Sequence, residues 1–284
     1  MAKRRKADGI RNLIVVSDTH CGCKLGIMHP DGIKLDDGGQ YRPSDFQRKL
    51  WAHWREFFDE WVPEVTRGEP YDLVHNGDAI DGVHHGSTTQ WSHNLGDQSA
   101  HAEKILRPVV EACDGRYYHI RGTEAHVGKS ASEEERLAHK LGAIQNEEGQ
   151  YARYELWLRL GGKLCHFLHH IGTTSSAQHE ASAVNAELSA MYADAGRWGM
   201  EPPAIVCRSH RHRCSEVRLP ADGGYATVFV TACWQLKTPF AWKIAGARVT
   251  TPQIGGSLIR LGEEELHTRH YVHNIGRSKE VSSG

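Results

Sequence analysis

The chain has 284 residues, enough to bury the core of one large domain or two small ones. Its 34 Lys and Arg residues nearly balance 35 Asp and Glu residues, so no net charge favours nucleic acid or a membrane surface. No apolar run approaches the ~18 residues of a membrane span, and no signal peptide is visible. Seven cysteines follow no disulfide or zinc-finger spacing, which suits a reducing compartment. We therefore expect a cytoplasmic protein with no membrane partner and with plain thiols.

In the first half of the chain, three apolar runs with the character of buried strands each end in a polar loop. Apolar residues at helical spacing predict a helix over 46–65, and Ser132 with Glu135 is a capping-box signature for another helix. The strand runs and the polar loops that follow them are 12–16 with 17–20, 71–75 with 76–81, and 117–120 with 121–126.

In the second half, strands follow one another more directly. Runs 154–160 and 164–168 form a predicted hairpin at Gly161-Gly162. A helix over 176–197 comes next, and the further strands are 204–207, 225–231 and 257–261. Helices and strands in this order predict one layered α/β domain over residues 11–276. The predicted tails are residues 1–10, with the basic run Lys3-Arg4-Arg5-Lys6, and the loose residues 277–284.

Metal-capable side chains follow five of the predicted strands. The carboxyl ends of strands are where α/β sheets place ligands, so five such segments in one topological position indicate a common site. The high count of 20 histidines agrees with this, because histidine is the commonest metal ligand. The five segments hold Asp18 and His20; Asp78; Glu124 and His126; His169 and His170; and His210 and His212.

The mixture of imidazoles and carboxylates favours two divalent transition-metal ions, Mn²⁺ first, with Fe, Zn²⁺ or Ni²⁺ as alternatives. Two cations about 3.5–4 Å apart repel each other and need a bridging carboxylate. Asp78 is the best candidate for the bridge, because the neighbouring Gly77 lets the backbone approach closely. Such a pair acidifies a bound water and clamps a phosphoryl group.

These motifs resemble those of the calcineurin-like metallophosphoesterases. The family pattern is Asp-x-His, Gly-Asp-x-x-Asp, Gly-Asn-His-Asp/Glu, a lone His, and Gly-His-x-His. The resemblance runs in order from residue 12 to about residue 213 and implies an α/β/β/α sandwich of mixed sheets flanked by helices. The counterparts here are Asp18-Thr19-His20, Gly77-Asp78-Ala79-Ile80-Asp81, Gly122-Thr123-Glu124-Ala125-His126, His169, and Ser209-His210-Arg211-His212.

The resemblance also implies roles for the individual residues. Asp18, His20 and His212 would hold one metal. His169 and His210 would hold the other, and Asp78 would be shared. We prefer His169 to His170 because the first His of such a pair usually takes the ligand position in the family. Asp81 is expected to support the site rather than to bind metal.

Two departures from the family pattern matter. Ser209 replaces a glycine, a small change that should be tolerated. The third motif lacks the metal-binding Asn, and its His is displaced. We expect Glu124 to supply the oxygen ligand and His126 to protonate the leaving group. The alternative is that Glu124 caps a turn and His126 is merely nearby.

The expected activity is hydrolysis of a phosphoester, with a nuclease-like phosphodiesterase favoured over a phosphatase. A binding protein with the same fold and an inactive centre is the alternative from another class. The loops at 24–45 and 83–98 are expected to overhang the site. The substrate, with nucleic acid or nucleotides among the candidates, would contact side chains near the metals. The candidates for such contacts are Trp91, Arg121, His170 and Arg211. The sequence leaves the oligomeric state open.

Overall fold

The computed structural model describes residues 9–172, 179–222, 224–244 and 251–275. The basic run at residues 3–6 and the tail at 277–284 lie outside the described residues. The strands are β1 (Asn12–Val16), β2 (Ile33–Lys34), β3 (Gln40–Tyr41), β4 (Tyr71–Asn76), β5 (Tyr117–Ile120), β6 (Ala152–Arg153), β7 (Glu155–Leu160), β8 (Lys163–Leu168), β9 (Ile205–Arg208), β10 (Ser215–Ala221), β11 (Gly224–Val230), β12 (Gln253–Leu261) and β13 (Leu266–Asn274). The helices are α1 (Asp45–Glu56), a π-helical turn (Phe57–Trp61), α2 (Val62–Thr66), α3 (Leu95–Ala112), α4 (Glu124–Val127), α5 (Ser132–Leu141), α6 (Glu180–Trp198) and α7 (Pro239–Ile244).

Two mixed sheets form the framework. The first has the strand order β13-β12-β1-β4-β5-β6, in which β1, β4, β5 and β6 are parallel. The second has the order β10-β11-β9-β8-β7, in which β11, β9 and β8 are parallel. Antiparallel strands complete one side of the first sheet, β12 and β13, and both edges of the second, β7 and β10.

The alternation of side chains along β1 explains the layering, because successive residues of a strand point to opposite faces. Leu13 and Val15 belong to the core between the two sheets, together with Phe167 of β8. Ile14 belongs to the core under α1, α3 and α5. Helix α6 covers the other face of the second sheet through residues such as Val184. The layers are therefore α/β/β/α, and the predicted fold class is confirmed.

The helix predicted over 46–65 runs from Asp45 to Thr66 and contains the π-helical turn at Phe57–Trp61. Pro63 lies just after this turn. A proline has no N–H for the carbonyl four residues earlier, and its ring crowds that carbonyl. The wider π turn lets the helix continue past Pro63 instead of ending there.

Two expectations about local structure were wrong or incomplete. Ala131 is the N-cap of α5, and no side-chain capping bond is present, so the capping box of Ser132 and Glu135 does not form. Glu135 instead accepts hydrogen bonds from the backbone N–H groups of Tyr151 and Ala152, at 2.8 and 2.9 Å. Strands β10 and β13 were not predicted, because many of their side chains are polar and exposed.

All seven cysteines are free thiols, and six of them are buried. Burial raises the pKa of Cys21, Cys23 and Cys165 to about 12. These are neutral thiols rather than thiolate ligands. Among the described helices, none combines the length and the apolar character that crossing a membrane requires.

Candidate metal centre

The loops after β1, β4 and β9 place several candidate ligands in the left-handed backbone region. A non-glycine residue in this region costs about 1–2 kcal/mol, although Asp and His tolerate it better than most. Such strain persists where the surrounding structure requires it, and it concentrates at functional sites. The φ angles are 54° at Asp18, 42° at His20, 53° at Asp78, 70° at His210 and 57° at His212.

A first group of potential ligands comprises Asp18, His20 and His212. Nε2 of His212 lies 3.1 Å from Oδ1 of Asp18 and 3.1 Å from Nε2 of His20. Nε2 of His20 lies 3.7 Å from the same carboxylate oxygen. All three ligand atoms lie within 4.8 Å of one another. One nitrogen from each imidazole and one carboxylate oxygen therefore converge on one point.

A second group adjoins the first and comprises Asp78, His169 and His210, whose ligand atoms also lie within 4.8 Å of one another. Nε2 of His169 lies 3.0 Å from Oδ2 of Asp78 and 3.9 Å from Oδ1 of Asp18, so His169 connects the two groups. The structure brings together the residues that the resemblance assigned to each metal, with Asp78, the expected bridge, in the second group only. Their roles as ligands remain predictions.

A carbonyl or carboxylate oxygen lies behind two of these imidazoles, His169 and His20. Nδ1 of His169 lies 2.6 Å from the carbonyl oxygen of Asn76, and Nδ1 of His20 lies 3.2 Å from Oδ1 of Asp81. Asp81 also accepts hydrogen bonds from the side-chain amides of Gln90 and Gln235, at 2.6 and 3.2 Å. A carbonyl or carboxylate behind a ligating imidazole leaves the other nitrogen free for a metal. Asp81 therefore has contacts that suit a supporting residue, but its ligand atom also lies within 4.8 Å of ligand atoms of His20 and His126, so its role stays a prediction.

The third motif is arranged differently from the prediction. The backbone N–H of Thr123 donates to Oδ1 of Asp78 at 2.7 Å, and its hydroxyl lies 3.3 Å from the same oxygen. Glu124 is exposed at the start of α4 and belongs to none of the convergent groups among the described residues. The structure therefore does not bring Glu124 to the other ligands, and Thr123 occupies the space beside Asp78.

His126 does lie at the site. Its Nδ1 is 2.7 Å from the carbonyl oxygen of Asp81, and its Nε2 is 3.8 Å from Oδ2 of Asp78. Burial lowers the pKa of His126 to about 4, although the carboxylates of Asp78 and Asp81 oppose this. The ring is neutral at pH 7 under these conditions and presents a lone pair at Nε2. This protonation state suits a ligand or an acceptor better than the proton donor that we expected.

Two residues that the motif argument did not use, Glu134 and Asn76, hold these loops together. Glu134 is fully buried and accepts hydrogen bonds from the backbone N–H groups of Ala79 and Gly122, at 3.1 and 2.7 Å. The side-chain amide of Asn76 donates to the hydroxyl of Ser209 at 2.6 Å. The serine that replaces the family's glycine therefore has a hydrogen-bond partner. A Cβ at Gly122 would lie 2.0 Å from Oδ1 of Asp78, which explains why glycine is needed there.

The chemistry of this donor set fits divalent metal ions. Oδ1 of Asp18 and Nε2 of His169 are buried and have no hydrogen-bond partner, although buried polar atoms are normally satisfied. Burial alone would raise the pKa of Asp18, but His212 and His169 outweigh it and hold the pKa well below its usual range. Imidazoles with ionised carboxylates suit transition-metal ions better than Ca²⁺ or Mg²⁺.

We expect metal binding at this centre to release protons. Burial disfavours the charged form of His169, but the carboxylates of Asp78 and Asp18 outweigh burial and raise its pKa to about 9. His169 is therefore protonated at pH 7 and must lose a proton before it binds a metal. The apparent affinity for Mn²⁺ should rise by up to about tenfold per pH unit above pH 7, with the slope falling as the pH approaches 9. Isothermal titration calorimetry in buffers of different ionisation enthalpy measures the release, and an affinity independent of pH would contradict it.

A cavity of about 710 Å³ lies over both groups. Its lining includes Arg121, His170 and Arg211 from the expected contacts. Trp91 does not line it. Its ring stacks on Tyr41 at 5.4 Å between centroids, and only 9% of its surface is exposed, so it packs the loops. None of the residues 24–45 lines the cavity, whereas His84 and His85 of the second loop do. Residues that were not predicted to line it include Tyr154, Arg213, Lys237 and Phe240.

The order of the motifs, the α/β/β/α layers and the convergence of the motifs at one end of the sheets agree with the predicted resemblance. The chain has the fold of the calcineurin-like metallophosphoesterases. No protein-family model and no curated protein matches it.

Solved structures do match the chain. A predicted phosphoesterase from Streptococcus pneumoniae shares 12% identity over 93% of this chain and 98% of its own, with a TM-score of 0.34. Vps29 from Entamoeba histolytica, complexed with zinc, shares 9% identity over 93% of this chain and 99% of its own, with a TM-score of 0.39. SoxB, a sulfate thiohydrolase from Thermus thermophilus, shares 12% identity over 95% of this chain but 58% of its own, with a TM-score of 0.42. Likeness at this level carries no information about activity or substrate.

Proposed function

We propose that this protein is a two-metal phosphodiesterase that acts on nucleic acid or a similar diester. The observation that carries the proposal is the pair of adjoining groups, Asp18-His20-His212 and Asp78-His169-His210, beneath one cavity. Two divalent ions held there would supply an acidified water and positive charge for the phosphoryl oxygens. Mn²⁺ is the first candidate, and Fe, Zn²⁺ and Ni²⁺ are the alternatives.

The rim of the cavity supports a diester with substituents on both sides of the phosphate. Arg121, Arg213 and Lys237 line it, and a phosphate could draw on their positive charge, although Arg121 also pairs with Glu135 and Arg213 with Glu180. Aromatic rings line it as well. Tyr154 is 67% exposed, and Phe240 is 38% exposed and stacks on His85 with ring centroids 4.5 Å apart. Exposed rings beside cations are typical of surfaces on which nucleobases stack.

The test is hydrolysis of bis-p-nitrophenyl phosphate and of p-nitrophenyl phosphate with added Mn²⁺, with the Asp78→Asn variant as control. We expect cleavage of the diester that is lost in the variant. Cleavage of the monoester alone would make the protein a phosphatase. Failure to cleave either compound or a single-stranded oligonucleotide, with metal bound, would overturn the proposal.

One observation favours a second function, metal-dependent binding without turnover. The third motif has Thr123 in place of the usual amide ligand, and its N–H and hydroxyl both bind Asp78. A centre with one ligand fewer holds its second ion less tightly. The assay above separates the two functions, because a binding protein would retain metal and show no hydrolysis.

The aromatic side chains at the rim of the cavity should matter more for an oligonucleotide than for a small diester. Replacing Tyr154 with Ala should raise KM for a single-stranded oligonucleotide at least about fivefold, because stacking contributes about 1–3 kcal/mol per base. KM for bis-p-nitrophenyl phosphate should change less than about twofold. Tyr225→Ala is the matched control, since Tyr225 is also exposed under an arginine but does not line the cavity. Equal effects of the two variants on the oligonucleotide would contradict a stacking role.

A further inference from the structure

A second cluster of metal-capable side chains lies outside the cavity, where α1 packs beside the edge strand β13. His53 and Glu56 are three residues apart on α1 and so lie on one face of the helix. His273 and Tyr271 are two residues apart on β13 and so point to one face of the strand. We refer to His53, Glu56 and His273 as the edge cluster. None of its members lines the cavity.

The ligand atoms of the edge cluster converge. Nδ1 of His53 lies 3.4 Å from Oε2 of Glu56, and Nε2 of His273 lies 3.9 Å from Oε1 of the same carboxylate. All three ligand atoms lie within 4.8 Å of one another. The two imidazole rings are 4.6 Å apart between centroids, and the hydroxyl of Tyr271 lies 3.4 Å from Nδ1 of His53.

Ordinary ion pairing does not account well for this arrangement. One carboxylate faces two imidazoles, and two protonated rings at this separation would repel each other. Burial and the neighbouring His53 both lower the pKa of His273. A single divalent cation satisfies both nitrogens and the carboxylate at once, whereas two protons do not. The partial exposure of the cluster, 27% for His53 and 38% for His273, leaves access for an ion and for water ligands.

We propose that His53, Glu56 and His273 form a third metal site, separate from the cavity, that binds a transition-metal ion of the zinc class. Two imidazole nitrogens and one carboxylate oxygen suit Zn²⁺, Ni²⁺ or Cu²⁺ and are a poor set for Ca²⁺ or Mg²⁺. Water or the hydroxyl of Tyr271 completes the coordination. The site has a structural role, because it joins helix α1 to a strand at the edge of the first sheet.

A metal ion in the edge cluster would stabilise the contact between strand β13 and the helical segment. Among the strands that the structure describes, β13 pairs with one neighbour, β12. Besides the edge cluster, Tyr271 packs on the helical segment, with ring centroids 5.4 Å from Phe57 and 5.8 Å from Trp61, and Arg269 pairs with Glu64 at 3.3 Å. A metal bound by residues of both elements adds a link that the unfolded chain lacks, so it stabilises the folded state.

The test is the binding of Zn²⁺ to the tag-free full chain, measured by equilibrium dialysis with elemental analysis and by thermal unfolding. We expect the unmodified protein to bind one equivalent more than the His273→Ala variant, and the dissociation constant of that equivalent to rise at least tenfold. The rise in Tm on adding Zn²⁺ should shrink in the variant. Hydrolysis with Mn²⁺ should be unchanged, because the edge cluster takes no part in the chemistry.

His267→Ala is the matched control, since His267 is an exposed histidine of the same strand with a single glutamate partner. It should retain the additional equivalent. Glu56→Gln provides a second test that preserves shape, and it should weaken the same equivalent at least tenfold. If His273→Ala does not fold, Glu56→Gln decides. Equal zinc stoichiometry and affinity in the unmodified protein and in Glu56→Gln would overturn the proposal, whatever the outcome of the hydrolysis assays.

Discussion

Replacing His169 with Ala is expected to lower the rate of diester hydrolysis by at least about 10³-fold, whereas replacing His170, which lines the cavity, with Ala should lower it less than about tenfold. The two residues are adjacent in sequence but differ in their surroundings. His169 is 2% exposed, and its Nε2 lies 3.0 Å from Asp78 and 3.9 Å from Asp18. His170 is exposed and belongs to neither convergent group among the described residues.

The size of the expected loss follows from the position of His169 between the two groups. Removing it takes a nitrogen ligand from one metal and a close neighbour from the other, and metal ions contribute several kcal/mol to such transition states. Each 1.36 kcal/mol corresponds to a tenfold change in rate. The measurement is kcat and KM for bis-p-nitrophenyl phosphate, with the metal content of each variant determined in parallel. A larger loss for His170→Ala would reverse our assignment of the ligand.

The parts of the site that the sequence predicts well are those with local signals. Buried strands appear as short apolar runs, and the bounds of β1 and β5 agree with the runs at 12–16 and 117–120. Glycine marks where the backbone must approach a neighbour, as at Gly77, whose φ is 95°. Because parallel strands carry their carboxyl ends to one edge, the order of motifs was enough to predict that they converge.

The parts that the sequence does not predict depend on which way a side chain points after the chain leaves its strand. Thr123 and Glu124 are neighbours, yet only Thr123 turns toward Asp78. Helix α4 begins at Glu124, whose exposed side chain lines the cavity but joins neither convergent group of described residues. Two neighbouring residues thus differ in which of them contacts Asp78, and composition and spacing do not resolve this.

Glu134 illustrates a residue whose signal is present in the sequence but was not used in the prediction. It lies in the run Glu133-Glu134-Glu135, which resembles a solvated first turn of a helix. Leu137, Ala138 and Leu141 follow it at three, four and seven residues, which places Glu134 on the apolar face of α5. A carboxylate on that face needs buried hydrogen-bond donors. The loops after β4 and β5 supply them.

We expect the Glu134→Gln variant to lose about 3 kcal/mol of unfolding free energy and its Tm to fall by roughly 5–10 °C. The carboxylate accepts from Ala79 through one oxygen and from Gly122 through the other. A glutamine keeps only one acceptor, so its amide N–H₂ must face a backbone N–H donor in a fully buried place. One buried donor then loses its partner, which adds the penalty for desolvation to the lost bond.

Glu133→Gln is the matched control one residue away, because Glu133 pairs with Arg136 at the helix surface and its loss should cost about 1 kcal/mol or less. Denaturant unfolding with and without Mn²⁺ gives both free energies. The Glu134 variant should also hydrolyse diesters more slowly, because the two loops that it joins carry Asp78 and Thr123, which contact each other at 2.7 Å. A Glu134 variant as stable as the Glu133 variant would show that these loops hold their positions without the buried carboxylate, and the ordering of Asp78 would then depend on Thr123 and the metals alone.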